Sequence, residues 1–504
     1  MRLSRTKKQV YLYFLRRSIL RKANYLYLCT MKANSSHTAR YRFFGLLTII
    51  ALCASLQVAA QNTERRPNNT TYFSSRELPD PTVYLPVPPD TASTLFVDDF
   101  MRWIWGKSIR DTERGRQASW ESLYGVKRMA TVYGEALNMS ITEEGTPAIW
   151  RLLQRVGETG NQATSRAKRK YMRVRPFARM NEHTWGEFDN EWDLRRNGSY
   201  PSGHTGFGWS TALALAEMAP EYQDTILRRG YEYGDSRVIV GAHWQSDVDA
   251  GRLAASAAFA RMHTSAEYAE DLEDARAEYR KIKGLEDKQK VVGYPHIERI
   301  VDSPADTASY RHYGDVAYYW LAKAERTTSR GEEAVTDTAC TVNYFLQTYG
   351  ACTNIPIDIT STPDIAAFVN RVFDELCNAC SQAKSTGFRQ RPFLRMGDHS
   401  ALPEKDERYR KSSSYPSSHS IIGWGIALAL VEVMPDCQDA LLLRGYEYGR
   451  SRIILGFHFK SDVQAGRLVA SYTLARLHNE PDFRQLLAAA QKEYLDASGP
   501  TPED

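Results

Sequence analysis

The sequence predicts an all-α protein of two tandem helical-bundle domains, on three observations. A chain of 504 residues exceeds what a single core usually organises. Apolar residues follow helical spacing: Thr205 to Met218, Asp224 to Tyr233 and His243 to Met262 are rich in Ala and Leu, and no train of alternating strands appears. The halves also repeat one another. Asp90-Thr91-Ala92-Ser93 returns as Asp306-Thr307-Ala308-Ser309, and Asp99, Lys107 and Gly115 return as Asp315, Lys323 and Gly331, all 216 residues on. Later the offset is 215, so that Gly230-Tyr231-Glu232-Tyr233-Gly234 recurs as Gly445-Tyr446-Glu447-Tyr448-Gly449. One deletion in a variable loop accounts for the change.

From the N-terminus, residues 1–60 read as a leader. Arg40 and Arg42 precede an apolar run from Phe43 to Leu56, then Val58-Ala59-Ala60 and polar Gln61, the order of a secretory signal peptide. The run is shorter than the roughly 20 residues that span a bilayer comfortably. The expectation is a start at Met31, removal of the leader, no stable membrane insertion afterwards, and a secreted, periplasmic product. Residues 61–80, polar and rich in Asn, Arg and Ser, read as a flexible segment. Domain 1 then covers 81–280, the Lys-rich stretch 281–299 is a linker, and domain 2 covers 300–497.

The formal charge of +5 belongs to the leader, which holds eleven Lys and Arg and no Asp or Glu; the rest carries 54 basic and 60 acidic residues. That balance argues against nucleic acid as a partner. Beyond the leader the cysteines are Cys340, Cys352, Cys377, Cys380 and Cys437, an odd number whose pairing the sequence leaves open. The Cys377/Cys380 spacing lacks the second pair of a zinc site.

Three ordered blocks carry chemistry in repeat one: Lys168 with Arg175-Pro176, then Tyr200-Pro201-Ser202-Gly203-His204, then Ser236-Arg237 with His243 and Asp247. Their residue types suit a phosphate monoester, whose reacting group spreads charge over three oxygens. Arg175 and Arg237 are bidentate clamps and Lys168 a point charge. Ser202 and Gly203 precede a helix whose first amides attract an anion. His243 and Asp247, four apart, are expected to share a helix face, so that the carboxylate takes the Nδ1 proton and leaves Nε2 nucleophilic. His204 then serves as general acid and base. The scheme needs no metal or other cofactor. Repeat two carries the same set as Lys384, Arg391, Ser417, Ser418, His419, Arg452, His458 and Asp462. Ser418 in place of Gly203 raises the prospect of crowding or backbone strain, leaving open whether the second copy is active or degenerate. His263 and His478 read as structural.

At these blocks the chain resembles the bacterial class A non-specific acid phosphatases, within the type 2 phosphatidic acid phosphatase superfamily that also includes vanadium haloperoxidases. Flanking segments share the resemblance: Tyr84-Leu85-Pro86, Glu113 to Ala118, Ala167 through Arg173 to Phe177, Asn197-Gly198-Ser199, and His243-Trp244-Gln245-Ser246-Asp247. The resemblance implies a metal-independent, all-helical enzyme of broad phosphomonoester specificity, with His243 as nucleophile, His204 as acid and phosphate transfer to alcohols as a further activity. A vanadate-dependent haloperoxidase is the alternative enzyme. A second alternative makes domain 2 a non-catalytic phosphate-binding module, packed with domain 1 as an intramolecular pseudo-dimer.

Overall fold

The computed structural model describes residues 70–186, 191–285, 292–304 and 309–499; the expected signal peptide lies outside them. Every regular element among the described residues is helical. The longer helices of repeat one are α1 (Phe96–Ser108), α2 (Pro147–Gln162), α3 (Gly203–Met218), α4 (Gln223–Ile239), α5 (Gln245–Met262) and α6 (Ala266–Lys283). Repeat two answers with α7 (Tyr310–Ala324), α8 (Pro363–Lys384), α9 (Ser418–Val433), α10 (Gln438–Ile454), α11 (Lys460–Leu477) and α12 (Pro481–Ser498).

Each bundle is wound around one helix that is apolar on all sides, which only a fully enclosed position tolerates. In repeat one this is α3, every residue of which is buried except His204, with α2, α4 and α5 around it. Its one half-buried residue, the histidine, is therefore placed at the end of the bundle. Helix α9 takes the same role in repeat two.

Close approach of the helices is solved differently in the two repeats. A Cβ on Gly157 of α2 would lie 2.4 Å from the Phe207 ring of α3. The corresponding pair in repeat two is Phe373 and Ile422, with the bulk moved to the other helix. Likewise Gly160 faces Ser210, whereas Leu376 faces Gly425. Volume is conserved pairwise, as a close-packed core requires.

The two bundles merge into one body: the described residues form a single compact unit, with one apolar core running through both. Helix α5 lies against α9 and α11, and α3 against α11. Where the repeats meet, the rings of His263 and its counterpart His478 stack 3.7 Å apart. Each imidazole meets its own repeat's carboxylate, Glu217 at 3.0 Å and Glu432 at 3.0 Å.

Residues 70–80, expected to be flexible, are instead held down. The Tyr72 amide donates to Thr159 Oγ1 (3.0 Å) and its hydroxyl to Asp271 (3.0 Å), while Leu78 is fully buried. Arg166 binds the carbonyls of Ser75, Arg76 and Leu78. Polar composition misled because three apolar anchors, Tyr72, Leu78 and Tyr84, suffice to seat the segment.

The arm then crosses to the other repeat, where the Asp80 amide donates to Asp439 Oδ1 (2.7 Å). At the equivalent place, within the stretch expected to be a linker, the His296 amide donates to Asp224 Oδ1 (2.9 Å) of repeat one. Each repeat thus lends its lead-in arm to its partner. The rest of the described linker is also bound: Gln223 donates to the Gly293 carbonyl (2.8 Å) and Arg476 to that of Val292 (3.0 Å). All five described cysteines are free thiols.

Candidate active site

The three sequence blocks of repeat one converge at the His204 end of its bundle. Lys168 lies within a short helix, Ser165–Tyr171, just after α2, and its Nζ donates to the Gly198 carbonyl (3.1 Å). Arg175 precedes a short helix begun by Pro176, where the missing N–H of proline costs nothing. It is buried, its Nη1 donating to the Ala242 carbonyl (3.0 Å) and reaching His243 Nε2 at 2.9 Å. Guanidinium only donates, so this contact requires an unprotonated Nε2 with its lone pair turned into the site. The proton of neutral His243 therefore sits on Nδ1.

Ser202 caps α3, its Oγ accepting from the Thr205 amide (3.3 Å). Its own amide is used, donating to the Asp247 carbonyl (2.8 Å). That leaves the next amides of the first turn, those of Gly203 and His204, as the helix-end donors for an anion. A Cβ on Gly203 would come within 2.3 Å of Asn161 Oδ1, which is why the position is glycine. His204 Nε2 lies 3.1 Å from the Ser122 carbonyl and so carries the proton of the neutral ring. Tyr124 meets the ring edge-on and Tyr233 stacks beside it. Arg237, in the last turn of α4, is fully buried, with Nη1 3.5 Å from the same Ser122 carbonyl.

Electrostatics make this a cradle for an anion. Burial, followed by the nearby Arg175, pushes Lys168 well below the usual lysine range. Burial and then Arg237 bring Arg175 down to about 9, and burial brings Arg237 down to about 10. The imidazoles follow: burial and Arg175 hold His243 well below its ordinary value, while burial, Arg237 and His243 do so for His204.

One expectation needs correction. Asp247 Oδ2 stands 3.6 Å from His243 Nδ1, beyond hydrogen-bond range. His243 precedes the Trp244 cap of α5 rather than lying on the helix, so four-residue spacing does not align the pair. Asp247 instead accepts from the Trp244 amide (2.8 Å), from Ser199 Oγ, and from Arg173 (2.6 Å). Arg173 also bridges to Asp99 (2.7 Å), which accepts from the Ser246 amide and hydroxyl. Burial alone would raise the Asp247 carboxyl, but Arg173 outweighs it and keeps the group ionised.

Arg173, Asp99, Ser199 and Ser246 were not among the expected site residues. Two signals pointed to them: Asp99 recurs as Asp315, and Arg173, which belongs to a family-like block, recurs as Arg389.

Repeat two reproduces the arrangement. Arg391 Nη1 reaches His458 Nε2 at 3.1 Å, Lys384 donates to the Ser413 carbonyl (2.8 Å), and Arg452 is buried. His419 Nε2 lies 3.4 Å from the Thr338 carbonyl, the counterpart of Ser122. Ser417 caps α9 while its amide donates to the Asp462 carbonyl (3.0 Å). Asp462 is again distant from the imidazole (3.8 Å) and bound to Arg389, which bridges to Asp315 (2.7 Å). Here the acceptor at His458 Nδ1 is visible: the Ser414 carbonyl, at 2.7 Å. Burial and Arg391 push His458 down to about 3, and burial brings Lys384 down to about 8.

The strain expected at Ser418 is absent, since the residue has no positive φ. Its Oγ lies 2.9 Å from Cys380 Sγ, and the position of Asn161 is taken by Cys377. The side chain that closes the first site against a Cβ has been exchanged.

Comparison with known proteins agrees with the duplication. The PAP2 superfamily pattern matches twice, over residues 157–270 and 366–483. A non-specific acid phosphatase of Providencia stuartii is 45% identical over 213 residues, 42% of this chain and 86% of the relative. One from Salmonella typhimurium is 36% identical, over 48% of this chain and 92% of its own length. An acid phosphatase of Zymomonas mobilis is 35% identical, over 47% and 87%.

Proposed function

This chain belongs to the PAP2 superfamily and is an acid phosphatase, and from that premise we propose that both repeats hydrolyse phosphate monoesters through a phosphohistidine. The observation that carries the reading is the Arg175–His243 contact: an unprotonated Nε2 held among the buried Arg175 and Arg237 and the half-buried Lys168. The phosphoryl oxygens replace the histidine as the partner of Arg175 and are clamped by Arg237, Lys168 and the first amides of α3.

The bound dianion brings a second proton onto His204, at Nδ1; His243 Nε2 attacks phosphorus, the P–O ester bond breaks, and the leaving oxygen takes that Nδ1 proton while Nε2–H stays on the Ser122 carbonyl. Water then gives its proton to His204 and attacks phosphorus, and the P–N bond breaks to restore His243. The imidazolium of the intermediate keeps its Nδ1 proton, stabilised by the ionised Asp247 across 3.6 Å. In repeat two the Ser414 carbonyl orients the same proton. Since nothing at Ser418 closes the second site, His458, His419 and Asp462 are assigned the same roles there.

No helix among the described residues is long and apolar enough to cross a membrane. Together with the sequence of the leader, this supports an exported, periplasmic enzyme acting on small phosphate monoesters.

Hydrolysis of p-nitrophenyl phosphate by His243→Ala, His458→Ala and the double variant, with chelator present, tests the reading. Each single variant is expected to keep part of the activity and the double variant to lose at least about a thousandfold. Activity in the double variant overturns the histidine mechanism. Complete loss in His243→Ala alone overturns the assignment of repeat two. A trapped phosphoprotein that is acid-labile and base-stable is expected from each single variant.

A further inference from the structure

Duplication supplies an internal control for buried charge, because each side chain of one repeat has a counterpart in the other. Arg252 of α5 belongs to a neutralised network. Its Nη2 donates to Asp235 (2.7 Å) and to the Tyr231 carbonyl (2.8 Å), and Nη1 lies 3.5 Å from Asp249. Arg102 approaches Asp235 as well, at 3.9 Å.

In repeat two both carboxylates are gone: Asp235 has become Arg450, Asp249 has become Gln464, and Arg102 has become Tyr318. Arg467, the counterpart of Arg252, keeps the carbonyl bond to Tyr446 (2.9 Å) and lies over that ring at 4.0 Å. It is only 3% exposed, yet it forms no ion pair among the described residues; its Nε, like that of Arg252, has no hydrogen-bond acceptor there. The other new cations are neutralised, Arg450 by Glu325 (2.6 Å) and Glu447 (3.2 Å), and Lys460 by Asp98 (2.6 Å). Burial pushes the Arg467 guanidinium down, whereas Asp235 overcomes burial at Arg252 and pushes it up.

The space beside the two arginines differs in the same sense. Next to Arg252 the cavity between the repeats is about 90 Å³, while next to Arg467 it is about 400 Å³, within the range of small-molecule sites. Leu85, Leu253, Leu321 and Val463 give the larger cavity apolar walls, Asp249, Arg450 and Lys460 line it as well, and no cradle residue does. A buried guanidinium without a counter-ion is costly unless something supplies one.

We propose that this cavity is a second, non-catalytic binding site for a small organic monoanion, a carboxylate on an apolar frame, seated on Arg467. A single charge matches the one cavity-lining cation that has no ion pair, and the carboxylates of Asp249, Glu325 and Glu447 at the wall oppose a second charge. The site is independent of the phosphate cradles and does not rest on their mechanism.

Calorimetric titration of the full chain with 2-naphthoate, with saturating inorganic phosphate occupying the cradles, tests the proposal. One naphthoate is expected per chain, with binding weakened at least about tenfold in Arg467→Gln. The neutral 2-naphthalenemethanol is expected to bind at least about tenfold more weakly than naphthoate. Leu321→Trp, which fills the cavity from its half-exposed edge and leaves Arg467 in place, is expected to weaken binding similarly and decides the matter should Arg467→Gln fail to fold. Absence of binding at millimolar naphthoate, equal affinity for the alcohol, or affinity unchanged in Leu321→Trp overturns the proposal.

Discussion

At Asp247 the carboxylate is held by an amide, a hydroxyl and Arg173, so its work is to fix the loop that carries His243 rather than to share a proton with it. Asp247→Asn is expected to lower kcat by about tenfold to a hundredfold, as the loss of a positioning partner does. KM for p-nitrophenyl phosphate should change far less, because the cradle remains; comparison of kcat with KM checks this. Stability should fall by about 3–5 kcal/mol, since Arg173 is left buried with one partner fewer. The sign of the pH dependence follows from the depressed carboxyl. Its stabilisation is present above the unfolded value near 3.9 and lost as pH falls through the lower folded value, so acid denaturation curves of wild type and variant should converge at low pH. A second prediction concerns His204, which burial and Arg237 keep neutral in the free site. A bound dianion reverses the local potential, so binding of sulfate, already a dianion near pH 6, should take up about one proton. Calorimetry in buffers of different ionisation enthalpy measures the uptake, and His204→Gln should abolish it.

The core helices are where the sequence was most readable and the packing least so. Periodicity placed α3, α4 and α5, and the constant offset placed their counterparts, because both signals are local or internal to the chain. The cradle was legible for the same reason, as three ordered blocks. Partner choice was not: that Asp247 turns to Arg173, or that the arm at Asp80 crosses to Asp439, depends on contacts distant in sequence. The volume exchange between α2 and α3 yields a prediction of this kind. Gly157→Ala places a methyl against Phe207 and should destabilise the protein by about 1–3 kcal/mol. In a Phe207→Ile background, which copies Ile422, the same change should be nearly neutral. Chemical denaturation of the four proteins gives the coupling energy, expected above about 1 kcal/mol.

In the molecule as a whole, the repeats are joined at a titratable centre. His263 and His478 stack between the repeats, and Glu217, Glu432, Arg276, Tyr268 and Asn479 surround them. Burial would raise the Glu217 carboxyl, but His263, His478 and Arg276 hold it down to about 2 from an ordinary 4.5. Its stabilisation, about 3 kcal/mol on that difference, is complete above the unfolded value near 4.5 and lost as pH falls toward 2. His263 has the opposite sign: Glu217 and Glu432 overcome burial and raise it. Its contribution is complete below an unfolded value near 6.5 and lost as pH rises through the higher folded value. Only between about pH 4.5 and 6.5 are both contributions whole. Thermal unfolding of wild type and Glu217→Gln across pH should therefore show a stability gap that is widest in this window and narrows on both sides. A gap independent of pH would mean that the carboxylate packs the interface without pairing with the imidazoles.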